Sequence, residues 1–196
     1  SDHYNGVGVF SKHNSVRLYA NEGTADGIDR AFPGFNLEWT VFETSRSFTI
    51  GGLEIESFSV SHDASEPVGH VFTEKGGGRL FIATDLGYVT TLVRAKLEGC
   101  DVIVLESNHD YEMLQRSGRP QDLITRISGR SGHLSNEAAA DLIRDAAPKE
   151  LRAVLLAHLS EECNTPTLAL NAMRKGLRDA GRSDVAVQVL SQNEIS

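Results

Sequence analysis

Four apolar runs in this chain end in a side chain able to bind a metal ion or move a proton. Phe58-Ser-Val-Ser leads into His62-Asp63, and Leu80-Phe-Ile-Ala-Thr leads into Asp85. Val102-Ile-Val-Leu leads into Glu106-Ser-Asn-His109-Asp110, and Val154-Leu-Leu-Ala into His158. The chain itself starts Ser1-Asp2-His3, a carboxylate beside an imidazole. Imidazoles and carboxylates without thiolates suit zinc, manganese or iron, whereas calcium prefers oxygen ligands throughout. A strand end also fixes the direction of the side chain it carries, as a metal site requires. Taken singly, each residue has a plainer reading. A His after a strand is commonly a hydrogen-bonded structural group, and Asp85 could cap a helix beginning near Tyr88. Cys163 reads as a small core residue. What makes a metal site of the set is an acid or imidazole at the end of every central strand.

The elements that must position these groups are legible from pattern. Residues 7–12 read as a short helix, 16–20 as a buried strand and 22–32 as a second helix, stopped by Pro33-Gly34. Short β-type runs follow at 48–50, 53–60, 68–73 and 79–84, separated by Gly51-Gly52, residues 63–67 and Gly76-Gly77-Gly78. Beyond Asp85 the chain alternates. Residues 90–97 read as a helix and 101–105 as a strand buried on both faces, followed by a loop-rich helical region. Next come a helix at 136–147 with Ser135 as N-cap, a strand at 151–157, and a helix at 165–180 with Pro166 in its first turn. A last strand covers 185–190. A β-rich stretch followed by strand–helix–strand units predicts an α/β domain over residues 1–196, sheet packed on sheet with helices outside. The chemistry then falls on loops at strand ends.

Composition narrows the class. Hydrophobic residues make up 40% and charged ones 23%, which is globular, and no apolar run is long enough to span a bilayer. A formal charge of −8 gives no general attraction for nucleic acid, so such binding would need a local basic surface. Arg116, Arg119, Arg126 and Arg130 supply the best candidate, and a solvated basic loop is the plainer account of them. Two cysteines without metal-finger spacing fit a reducing cytoplasm.

Asp2-His3 followed by Gly6-Val7-Gly8 resembles the second half of the His-x-His-x-Asp-His signature of metallo-β-lactamase-fold hydrolases. SHDASEPVGHVF, ATDLGYVT, LESNHDYEML, GHLSNEAA and LAHLSEECNTPTLAL resemble, in order, the YycJ/WalJ-type branch of metal-dependent nucleases and phosphodiesterases. The resemblance implies the four-layer αββα fold. It implies Asp2, His3 and His158 on one metal ion, Asp85 bridging to a second, and His62 on that second ion. The two imidazoles of the His-x-His half would precede Ser1. The resemblance therefore implies a missing N-terminal segment that carries them and the first strands. By that account the chain as given holds one weakly bound ion at most and turns over poorly. It also leaves a sheet edge or face open to pairing with another chain, as in a homo-oligomer.

Further roles come with the same resemblance. Asp2 would orient the attacking water or take its proton, His133 would protonate the leaving group, and Glu106 would hold His133 or relay a proton. Arg119, Arg126 and Arg130 would contact phosphates, and His109 would either support the site or touch substrate. The implied activity is phosphodiester hydrolysis with two divalent ions, as a DNA 5′-exonuclease. A phosphodiesterase for small or cyclic nucleotides is the runner-up. A metal-free scaffold or regulatory protein that keeps the fold is the alternative of another kind.

Overall fold

Local signals start and stop the helices. The computed structural model describes residues 3–191. In chain order it contains α1 (Val7–His13), β1 (Leu18–Ala20), α2 (Glu22–Ala31), β2 (Trp39–Val41), β3 (Ser47–Ile50), β4 (Leu53–Ser59), β5 (Val68–Glu74) and β6 (Arg79–Ala83). It continues with α3 (Thr91–Lys96), β7 (Val102–Glu106), α4 (Tyr111–Gln115), α5 (Gln121–Ile127), α6 (Asn136–Ala146), β8 (Ala153–Ala157), α7 (Pro166–Asp179) and β9 (Ala186–Val189). Thr90, Ser135 and Thr165 cap α3, α6 and α7, each side-chain oxygen accepting an amide three residues on. Asp110 does the same for α4, within the stretch that pattern gave as a loop-rich helical region. Because Thr90 starts α3, Asp85 is free of the capping role that its position before a helix suggested.

Seven strands form one sheet in the order β3-β4-β5-β6-β7-β8-β9. β4 pairs antiparallel with β5 and β5 antiparallel with β6, so β4 runs in the same direction as β6. β6, β7 and β8 are mutually parallel. The four runs singled out above therefore all finish at the same end of the sheet.

One sheet face carries Phe58, Val71, Phe81, Ile103, Leu105, Val154 and Leu156, all at most 1% exposed. It packs on Val93 of α3 and Leu97 just after it, Leu142 and Ile143 of α6, and Met173 of α7. This is the main core. The opposite face meets a small parallel sheet, β1-β2, through Tyr19 and Phe42 stacked on Phe48. β2 went unread in the sequence, since three residues with a lone aromatic give no period. The small sheet covers only the β3–β5 side. Val102, Val104, Ala153 and Leu155 are accordingly half-exposed, and the strands read as buried on both faces are fully buried on one. Two strands of three residues are too short to cover the rest. Among the described residues, no helix is long and apolar enough to cross a membrane.

Candidate metal centre

Because β4, β6, β7 and β8 finish together, His62, Asp85, Glu106 and His158 gather at one rim of the sheet. Asp85 lies at the middle. Its Oδ2 is 2.9 Å from His3 Nε2, and its Oδ1 is 3.7 Å from His62 Nε2, 3.5 Å from His133 Nδ1 and 3.7 Å from His158 Nδ1. His3 Nε2 and His158 Nε2 are 3.3 Å apart. Asp2 lies outside the described residues. Asp85 and His158 hold φ of 52° and 58°, in the left-handed region that costs a non-glycine residue. Such outliers persist where surrounding contacts over-determine them, and here both turn a side chain off a strand end into one cluster.

Beneath this cluster Glu106 is fully buried. Its Oε1 accepts from His133 Nδ1 at 2.9 Å and His158 Nδ1 at 2.6 Å; its Oε2 accepts from the amides of Leu86 at 2.8 Å and Leu134 at 3.0 Å. Burial works to raise the Glu106 carboxyl, but the bonds from His133 and His158 outweigh it and hold the group below its ordinary value. As a carboxylate it can only accept, so both imidazoles must carry their proton on Nδ1 and keep Nε2 as the outward-directed atom. His62 has the same tautomer from another source, with Nδ1 donating to the Gly132 carbonyl at 3.0 Å. Three imidazoles are thus set by hydrogen bonds from below, the arrangement that orients metal-binding histidines.

The donor set fits a divalent ion. In a tetrahedral site with bonds of about 2.0–2.1 Å, ligand atoms lie about 3.3 Å from one another. The 3.3 Å between the His3 and His158 Nε2 atoms and the 2.9 Å from His3 to Asp85 are close to that spacing. Asp85, Glu106, His133 and His158 also present ligand atoms within 4.8 Å of one another. Within that group Glu106 is the least suited to touch an ion, because its two oxygens already accept from four N–H groups. Burial raises the Asp85 carboxyl, and the His3 hydrogen bond with the His158 and His62 imidazoles brings it below the ordinary carboxylate range. It is ionised and ready to bind a cation.

Supporting groups escaped the sequence reading. Asn136 and Asn164 exchange side-chain hydrogen bonds at 2.9 Å, Ser107 Oγ donates to Asn136, and Asn164 also donates to the Ser107 and Asn108 carbonyls. Asn108 in turn donates to the His158 carbonyl at 2.9 Å. This buried amide network ties the ends of β7 and β8 to the starts of α6 and α7. The signal available was an Asn directly before each helix cap or at its first residue, which usually means capping alone. Gly87 and Gly132 bring the loops into backbone contact. A Cβ on Gly87 would sit 2.5 Å from the Gly132 nitrogen, and one on Gly132 would strike the carbonyls of Arg126 and Ile127.

The substrate-contact candidates are distributed differently from the expectation. His109 is 2% exposed, its Nδ1 has no hydrogen-bond partner among the described residues, and burial pushes its pKa down to about 4. In this arrangement it has no surface with which to touch substrate. Arg116 pairs with Glu112, Arg119 with Glu162 at 2.7 Å, and Arg126 with Asp63 at 2.7 Å. The Arg126 hydrogen bond holds Asp63 below its usual value. The basic stretch is thus largely matched by carboxylates. Arg130 differs, with its guanidinium 4.0 Å above the Tyr88 ring centre.

A strand-rim cluster of imidazoles around one aspartate, on a sheet backed by helices, defines a class of metal-dependent hydrolases. The chain belongs to it: a beta-lactamase superfamily domain matches residues 1–158. More particularly, the chain is 35% identical over 182 residues to exodeoxyribonuclease YycJ of Bacillus anthracis, covering 92% of this chain and 69% of that protein. It is 34% identical over 183 residues to exodeoxyribonuclease WalJ of Streptococcus pneumoniae, covering 92% and 68%. Among solved structures, Igni18, a metallo hydrolase from Ignicoccus hospitalis, superposes with a TM-score of 0.66 at 16% identity, covering 98% of this chain and 73% of that one.

Proposed function

We propose that this domain belongs to an enzyme that hydrolyses phosphodiester bonds in DNA, working from the 5′ end, with two divalent ions that Asp85 would serve. The observation that carries the reading is the placement of Asp85 among the imidazoles: its Oδ2 lies 2.9 Å from His3 Nε2 and its Oδ1 3.7 Å from His62 Nε2, so its two oxygens could serve two ions. The relatives named as exodeoxyribonucleases support DNA as the substrate. By this reading His3 and His158, with Asp2, would hold one ion, and His62 would belong to the other. Divalent ions held there would supply Lewis acidity and make water a nucleophile near neutral pH. His133 gives a proton to the leaving oxygen from Nε2 while its Nδ1 proton stays on the ring, hydrogen-bonded to Glu106. Glu106 stabilises the imidazolium form of His133 before the transfer and holds His158 in the tautomer that leaves Nε2 outward. Asp2 orients the attacking water or takes its proton.

A second reading, a phosphodiesterase for small or cyclic nucleotides, is favoured by the carboxylate partners of Arg116, Arg119 and Arg126, which leave little net basic surface. The test compares 5′-labelled duplex and single-stranded DNA with cyclic dinucleotides, under titration of manganese or zinc. Mononucleotides released first from the labelled 5′ end, abolished by chelation, are the expected result. Preferred cleavage of cyclic dinucleotides would move the assignment to the second reading, and hydrolysis indifferent to chelation would end both.

A further inference from the structure

We propose that Tyr88, with Arg130 stacked on one face, is the platform that receives an unpaired terminal nucleobase beside the reacting phosphodiester, at a frayed or single-stranded end. The inference rests on the phosphodiesterase reading above and adds to it a residue with no assigned role. Tyr88 follows Asp85 by three residues, which can span about 10 Å at most, so the ring lies within a nucleotide or two of the metal cluster. It remains 42% exposed although the Arg130 guanidinium lies 4.0 Å from its centre. Among the described residues no other aromatic ring contacts it. An aromatic face left in water beside a phosphodiesterase centre is what a base would stack on, and every base has a face to offer. Stacking needs the base out of a duplex.

Arg130 completes the site electrostatically. Arg116, Arg119 and Arg126 each have a carboxylate partner, whereas among the described residues Arg130 has none. Its charge is left for a phosphate. The pair is also held in place from below. The Arg130 carbonyl accepts from Ser61 Oγ at 2.7 Å, and the Gly87 amide donates to the Ser61 carbonyl at 2.8 Å. A Cβ on Gly87 would lie 2.6 Å from the Arg130 oxygen, so the two loops touch at backbone level. The loops that carry the ring and the guanidinium are therefore set before substrate arrives.

The experiment uses a short single-stranded oligonucleotide with phosphorothioate linkages for binding, and its copy with abasic sites in the two 5′-terminal positions. Tyr88→Leu should weaken binding of the intact strand by about 5- to 150-fold, the range of one lost base stack, and leave the abasic strand unchanged. Tyr88→Phe should restore the intact-strand affinity, because the ring and not the hydroxyl stacks. Arg130→Ala should lower the salt slope by about one for both strands, while Tyr88→Leu should not move it. Cleavage of the ordinary phosphodiester versions by the unsubstituted chain separates the two readings. Hydrolysis of neither strand, with duplex DNA and cyclic dinucleotides also left intact, refutes the phosphodiesterase reading and this inference with it. Hydrolysis of both, with equal losses for Tyr88→Leu on intact and abasic strands, refutes the platform alone.

Discussion

Glu106 is the group whose replacement should be most informative, because its two oxygens accept four N–H donors in a fully buried place. Glu106→Ala would orphan all four at about 1–3 kcal/mol each, or about 4–12 kcal/mol, which approaches the whole stability of a domain. Water entering the vacated space would offset part of that. Glu106→Gln is the better probe. Its amide has one accepting atom and one donating atom for two different pairs of partners. The amides of Leu86 and Leu134 can only donate, so the Gln oxygen should stay with them. The Gln nitrogen then faces His133 and His158, and both imidazoles can answer by moving their proton from Nδ1 to Nε2. All four hydrogen bonds survive without charge assistance, so the stability loss should be modest, about 1–3 kcal/mol. The atom aimed at the cluster is now protonated, and metal affinity should fall by about 10–100-fold. Urea unfolding of the metal-free chain, calorimetric titration with zinc, and two-bond nitrogen–proton NMR of the rings measure the three quantities. Both rings remaining protonated on Nδ1 with unchanged zinc affinity would refute the account of how the site is set.

His133→Ala should slow turnover by about 10²–10⁴-fold with metal content retained, and loss of metal in that variant would make His133 a ligand rather than an acid. His109 should contribute a pH-dependent part of stability. Its folded pKa of about 4 lies below the ordinary 6.5, so the unfolded chain takes the proton first. Stability is full above about pH 6.5 and falls by up to about 3 kcal/mol as pH drops toward 4. A His109→Leu variant with the same pH profile of urea unfolding would contradict this. Because Glu162 and Asp63 match Arg119 and Arg126, Arg119→Ala and Arg126→Ala should each flatten the salt dependence of DNA binding less than Arg130→Ala does. Equal slopes for the three variants would mean that the carboxylates release their arginines to the DNA.

Much of the site was legible in local sequence because strands and their ends are local features. Apolar runs at β4, β6, β7 and β8 and the polar residue after each could be read from composition and period alone. Family likeness then connected His133 with Glu106, which the structure places 2.9 Å apart. The arginine stretch was less legible. Nothing in Arg119 or Arg126 announces the carboxylate it faces, because Glu162 and Asp63 lie 43 and 63 residues away in the chain. The depth of His109 was hidden for a similar reason. It follows a strand as His158 does, but a parallel bridge to Ser135 draws it inward.

The sequence by itself determined which residues could do chemistry, that His62, Asp85, Glu106 and His158 each come at the end of a strand, and the family to which the ordered segments belong. Only the tertiary structure decided that the four strand ends share one rim. That outcome depends on two successive antiparallel pairings turning β4 back to the direction of β6, and on parallel pairing carrying the same direction through β7 and β8. Strand direction is set by long-range hydrogen bonding and by which sheet face is buried, neither of which leaves a mark on four or five neighbouring residues. The same holds for the tautomers. Glu106 fixes two imidazoles because burial removes every competing partner, and burial is a property of the packed molecule.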